Sequence, residues 1–204
     1  MRVAALRIGG KTDEWRQLGF EVGTDGIAML GGVRLELLER AKQGEIESWA
    51  LEGANLPTSI DGLPTDADLR GGLGKPHPNG ATSIDHLVVL TTSLDRTTAA
   101  FAEIGVECRR VREAGGGIRQ GFFLVEDLLV EVVESADTDD DAPTRFWGIT
   151  AVVADIDHAA SLLGDKLGTV KDAVQPGRWI ATVRPEASGG LPLALITPRD
   201  RREG

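Results

Sequence analysis

Short apolar runs alternate along this chain with glycine- and proline-rich punctuation, and their periods predict strands more often than helices. Val3 to Ile8 reads as a strand ended by Gly9-Gly10. Thr12 or Asp13 caps a short helix whose apolar positions are Trp15 and Leu18, and Gly19 stops it. Two glycine-bounded strands follow, Ile27 to Leu30 and Val33 to Leu38. In the second, Leu35 and Leu37 alternate with Arg34 and Glu36, the period of a strand with two different faces. Residues 1–40 thus form a short βαβββ-like module.

Residues 41–81 differ. Glu45 to Glu52, with Ile46, Trp49 and Leu51, adds an edge strand. Prolines at 57, 64, 76 and 78 and glycines at 62, 71, 72, 74 and 80 then rule out a helix or a central strand, and predict a surface linker. Residues 82–135 read as a complete βαβββ module: Ile84–Leu90 as a strand, Ser93 or Asp95 as N-cap, Arg96–Ile104 as a helix and Gly105 as its stop. Val106–Val111, a turn at Gly115-Gly116-Gly117, Gln120–Val125 and Leu128–Val133 complete its sheet. An acidic linker, 136–143, leads to a third module over 144–199. There Phe146–Val153 is a strand, Asp155 or Asp157 caps a helix over Ala159–Leu167, and Arg178–Val183 and Leu191–Ile196 are strands. Residues 200–204 are a tail.

The repeat is the strongest feature of the pattern. Each helix ends in Leu or Ile followed by Gly: Leu18-Gly19, Ile104-Gly105, Leu167-Gly168. The second and third copies align without a gap from Arg112–Val125 to Lys171–Arg184, a register that pairs Arg119 with Arg178.

Composition narrows the functions. The chain has 204 residues, a formal net charge of −10, and 4% aromatic content without tyrosine. These disfavour a nucleic-acid partner, which needs clustered positive charge and stacking surfaces. No eighteen-residue apolar run is present and the first residues are too interrupted for a signal peptide, so a cytoplasmic protein with no membrane partner is expected. The single cysteine, Cys108, excludes an intrachain disulfide.

Ile84-Asp85-His86-Leu87-Val88-Val89 opening a βαβββ unit, and Leu128–Val133 closing it around Glu131, resemble the vicinal oxygen chelate superfamily. That group includes glyoxalase I, bleomycin-resistance proteins and extradiol dioxygenases. The resemblance implies an α+β fold of repeated βαβββ modules whose curved mixed sheets form a bowl-shaped cavity. It implies metal ligands on the first and last strands of each module: His86, Glu131 and, from the first copy, Glu36. The matching positions elsewhere fall on about Ala4, on Gly148 and on Ala194, none of which ligates. If the second and third copies share one bowl, only His86 and Glu131 remain.

Two readings of function follow from the resemblance. One is a lyase, isomerase or dioxygenase using a divalent metal (Zn, Fe, Mn or Ni) on His86, Glu131 and Glu36. The other is a metal-free binder that sequesters a small ligand, as bleomycin-resistance proteins do. Such a fold also accommodates a homodimer. On the residues alone, His86 is either a core-facing histidine satisfied by a polar neighbour, or a ligand or general base. Glu131, flanked by aliphatic residues, needs a partner. Arg119 and Arg178 are substrate-binding candidates, since guanidinium forks suit an anionic ligand. No Ser-His-Asp or Cys-His arrangement is read from the spacings.

Overall fold

The computed structural model describes residues 1–53, 56–67, 72, 74–134 and 142–199, so most of the acidic linker and the tail at 200–204 lie outside the described residues. The strands form two mixed, curved, unclosed sheets. The first holds β1 (Arg2–Gly9), β2 (Ile27–Leu30), β3 (Val33–Leu38), β4 (Ile46–Glu52), β5 (Ser59–Ile60) and β6 (Leu63–Ala67) in the order β2-β3-β1-β4-β6-β5, with helix α1 (Thr12–Gln17) between β1 and β2. The second contains β7 (Ala81–Thr91), β8 (Cys108–Glu113), β9 (Arg119–Val125), β10 (Leu128–Glu134), β11 (Arg145–Val153), β12 (Lys171–Asp172), β13 (Trp179–Thr182) and β14 (Leu193–Ile196). Its order is β12-β13-β14-β11-β7-β10-β9-β8, and helices α2 (Leu94–Glu103) and α3 (Ile156–Leu163) follow β7 and β11.

In each half of the eight-stranded sheet the first strand pairs parallel with the last, β7 with β10 and β11 with β14. The halves join through antiparallel pairing of β7 with β11, so the second and third sequence copies share one sheet. Capping explains where α2 and α3 start, whereas α1 starts at Thr12 after Lys11 with no side-chain cap, so neither Thr12 nor Asp13 has the capping role expected of it. The Ser93 side chain accepts the Arg96 N–H, and Glu134 reaches across from β10 to accept the Leu94 N–H at 2.7 Å. Asp155 caps α3 by accepting the N–H groups of Asp157 and His158. That helix ends at Leu163, earlier than the Leu167-Gly168 pattern predicts, because Gly164 turns to φ +55°.

The expected edge strand at 45–52 is instead an inner one. β4 lies between β1 and β6, antiparallel to β1 and parallel to β6. The proline and glycine cluster begins only after β4 ends, so it does not interrupt that strand. Within the cluster, Asp61-Gly62 makes a two-residue hairpin between β5 and β6, with φ of +47° and +88°. β4 relates to β1 as β11 does to β7, and β6 to β4 as β14 to β11. The six-stranded sheet is therefore a reduced version of the eight-stranded one, assembled from the first copy and part of the presumed linker.

One hydrophobic core spans both sheets, and the six-stranded sheet covers the helix-bearing face of the larger one. Trp49 on β4 is fully buried, its ring 5.9 Å from Phe101 of α2 and 5.5 Å from Phe146 of β11. Asp61 accepts hydrogen bonds from Arg96 Nε (2.6 Å), Thr97 Oγ1 (2.5 Å) and Thr144 Oγ1 (2.7 Å), tying the small hairpin to the start of α2. His77 Nδ1 accepts the Glu21 N–H at 2.8 Å, which leaves the proton on Nε2 to donate to Met29 O. These ties leave the opposite, concave face of the eight-stranded sheet open.

Because Trp49 joins three elements from both sheets, Trp49→Ala should cost about 3–5 kcal/mol. Urea unfolding followed by fluorescence and by circular dichroism should keep coincident transitions, since no separate core is left to unfold alone.

Candidate functional site

Alternation along the strands assigns the side chains of the concave face. Leu87 and Val89 of β7 lie in the shared core, so His86, Val88 and Leu90 face the other way. Likewise Val130 and Val132 of β10 are core, leaving Leu129, Glu131 and Val133 concave, and Phe123 and Val125 of β9 leave Gln120, Phe122 and Leu124. Leu129, His86 and Thr150 form one row across β10, β7 and β11. The result is an apolar floor with a small polar cluster at its centre. His86 Nε2 lies 4.0 Å from Glu131 Oε2 and 3.1 Å from Thr150 Oγ1, and Gln120 Nε2 donates to Glu131 Oε1 at 2.8 Å.

Asp85 joins this cluster against the rule of alternation. Thr150 pairs with His86 while Ala151 pairs with Ile84, so Asp85 is the extra residue of a β-bulge. The bulge lets neighbouring side chains meet: Asp85 Oδ2 is 2.9 Å from His86 Nδ1. The other carboxylate oxygen accepts from Arg178 Nη2 at 2.7 Å, and both Asp85 and Arg178 are almost wholly buried. Arg178 also donates from Nε and Nη2 to Thr197 O at 2.8 and 2.6 Å. A cavity of about 420 Å³ opens at this end of the face, lined by Asp85, Leu124, Leu129, Val152, Pro198 and Arg199.

The two carboxyl groups are pushed in opposite directions. Burial alone would raise the Asp85 pKa, but hydrogen bonds from His86 and Arg178, with the charges behind them, hold it at about 2. Burial raises the Glu131 pKa, and the nearby positive charge of Arg112 and of a protonated His86 only partly offsets it.

Of the residues singled out from the sequence, His86 and Glu131 come together. Glu36 lies on β3 of the other sheet, 2.9 Å from Arg7 Nε and 3.1 Å from Arg34, so it does not join them. Arg178 reaches His86 through Asp85, whereas Arg119 pairs with Asp95 on α2 at 2.9 Å and with Glu134 at 3.1 Å, on the helix side. The ungapped alignment made these arginines equivalent, and the sheet shows a one-residue slip. Phe123 faces core residue Val130 as Ala181 faces core residue Leu195, yet that alignment matches Phe123 to Thr182. A slip of one moves a strand residue to the opposite face.

The cluster does not fit the divalent ion implied by the resemblance. Catalytic sites for such ions take three or more protein ligands. Among the described residues no three His, Cys, Asp or Glu side chains are placed to hold one. Nor is there room for a further ligand at position 148, where a Cβ would lie 2.3 Å from Pro192 O. Asp85, Thr150 and Gln120 were missed by sequence reasoning. Asp85 alone had a signal, its place beside His86, although strict alternation places it on the opposite face.

No family model matches the sequence, and no curated protein matches it. Among solved structures, methylmalonyl-CoA epimerase from Mycobacterium tuberculosis is similar at 17% identity and a TM-score of 0.48, over 60% of this chain and 91% of that one. A Streptomyces coelicolor methylmalonyl-CoA epimerase in complex with 2-nitronate-propionyl-CoA is similar at 21% identity and 0.47, over 57% and 97%. A hypothetical protein from Bacillus halodurans is similar at 13% and 0.47, over 60% and 98%. The eight-stranded sheet consists of two paired βαβββ halves, the topology expected from the sequence. Among the described residues no helix is long and apolar enough to cross a membrane.

The buried carboxyls make stability depend on pH in a definite sense. Asp85 has a folded pKa below its ordinary value, so its contribution is complete above about pH 4 and is lost as pH falls through about 2. Asp85→Asn should cost about 3–5 kcal/mol at neutral pH, because Arg178 stays buried without its counter-charge, and should flatten the acid limb of stability measured against pH. Glu131 has a raised folded pKa and acts oppositely, costing stability once it ionises. Glu131→Gln should therefore be more stable than wild type at neutral pH and lose that advantage on acidification, as read by urea unfolding.

Proposed function

We propose that the concave face of the eight-stranded sheet binds a small carbonyl compound and enolises it, with His86 as base and Glu131 as acid and without a bound metal. The observation that carries this reading is the 4.0 Å approach of His86 Nε2 to Glu131 Oε2 on a half-buried apolar floor, with His86 Nδ1 engaged by Asp85. With the proton on Nδ1, the Nε2 lone pair is the basic site, and the Thr150 hydroxyl that meets it can rotate aside about a single bond. Burial keeps the Glu131 carboxyl protonated to higher pH than usual, which suits a proton donor.

Both groups approach from the same side and are too close to sandwich one carbon between them. That spacing suits proton removal and delivery at adjacent atoms. His86 Nε2 takes the proton from the carbon beside a carbonyl, and the C–H electron pair forms the carbon–carbon double bond. The carbonyl π pair moves to oxygen, which takes the Glu131 proton. Where the α-carbon carries a hydroxyl, the Glu131 carboxylate takes that hydroxyl's proton and the O–H pair forms the new carbonyl. The carbon–carbon double bond then takes the proton held by His86 at the neighbouring carbon, which completes an isomerisation. Without that hydroxyl the proton returns to the original carbon and only exchange results. Gln120 holds the other Glu131 oxygen and fixes the direction of the carboxyl.

The test is exchange of α-protons for deuterium in D2O, followed by NMR over a panel of small ketones, hydroxy-ketones and keto acids. Exchange with at least one class is expected to fall about 10²–10⁴-fold in His86→Ala and to be independent of added chelator. Elemental analysis should find well under one equivalent of divalent metal. Exchange that needs an added divalent ion, or that His86→Ala leaves intact, would sink the reading. A second reading, capture without turnover, draws on the exposed Trp147, which sits in a second bulge of β11 beside Val88. It predicts tight binding of a ligand with no exchange.

A further inference from the structure

Arg178 is the buried charge for which the mechanism above has no use. Its guanidinium is 3% exposed, and its contacts are shared between one backbone carbonyl and one carboxylate. Thr197 O, just beyond β14, anchors Nε and Nη2. The same Nη2 holds Asp85 Oδ1, and among the described residues Nη1 has no hydrogen-bond partner. Arg199 lies further out, its Nε 3.9 Å from the same carboxylate oxygen and largely exposed.

A neutral imidazole carries its proton on one nitrogen only, and the partner of each nitrogen decides which. An ionised carboxylate can only accept, so Asp85 Oδ2 at 2.9 Å favours the proton on Nδ1. Thr150 Oγ1 on the other side is neutral in this choice, since a hydroxyl donates or accepts equally well. The tautomer therefore rests on Asp85 being ionised and correctly turned. Arg178 supplies both conditions, through its charge and through a contact anchored to the backbone at Thr197.

We propose that Arg178 is a positioning residue that fixes the His86 tautomer through Asp85 and thereby presents Nε2 as the base. The proposal rests on the reading of His86 as base, but its test needs no substrate. In 15N-labelled protein, imidazole nitrogen shifts distinguish protonated from bare ring nitrogens. Wild-type His86, while neutral, should carry its proton on Nδ1. In Arg178→Met the fraction protonated on Nε2 should rise roughly tenfold, the scale set by losing one charge-assisted hydrogen bond. Arg178→Lys should restore much of the wild-type pattern. His77, whose own contacts place its proton on Nε2, is an internal reference that should not change in any variant.

Wild-type His86 protonated on Nε2 would overturn the proposal whatever the variants do. So would an unchanged tautomer in Arg178→Met, or in Arg178→Gln should the methionine variant not fold. A purely structural arginine would alter stability and leave the tautomer alone. Failure of the α-proton exchange test with the tautomer result intact would remove the proposed reaction, not the role of Arg178.

Discussion

The antiparallel pairing of β7 with β11 is the constraint on which the rest of the structure depends. It joins two βαβββ halves into one sheet, and it places His86 beside Thr150. Its register also contains the bulge that turns Asp85 to the concave face. With regular pairing, Asp85 would lie in the core with no partner for its charge, and His86 would lack an orienting group. The same pairing puts both helices on one face, where the six-stranded sheet covers them. An open face for a ligand and a closed face for stability follow from one strand pair.

The covering sheet shows how such a module can change its role. It repeats the strand relations of the larger sheet, with β1 and β4 in the places of β7 and β11. β1 carries no ionisable residue at about Ala4, the position matched to His86, and its Arg7 pairs with Glu36 and Asp66. Mutually satisfied charges suit a partly exposed surface better than a reactive centre. Its other face supplies Trp49 and the aliphatic residues of the common core. One half of the chain presents a site, and the other supports it.

Much of this was legible in the sequence. The first two glycine-stopped helices, the apolar runs and the capping residues Ser93 and Asp155 follow from local rules that tertiary context did not override. His86 and Glu131 were legible because each interrupts an apolar strand with one ionisable residue. What was not legible depended on register. Asp85 was hidden because a bulge is not encoded by any periodicity in Ile84–Leu90. Arg119 was wrongly set beside Arg178 because the repeats differ by one residue between a turn and a strand. The inner place of β4 was obscured by prolines that follow it and do not enter it.

The charges around His86 also explain how an ionisable cluster can sit in an apolar bowl. Asp85 and Arg178 cancel each other, so the bulge buries one ion pair and no net charge. In the proposed reaction, movement of a proton onto His86 and another off Glu131 would create a second pair about 4.0 Å apart. Attraction at that distance is on the order of 4 kcal/mol at the effective dielectric of a partly buried site. In that reaction the separation that suits contact with adjacent atoms is also short enough to stabilise the charges formed by proton transfer. Asp85 meets His86 Nδ1 from the side away from Glu131, and Arg178 holds its second carboxylate oxygen.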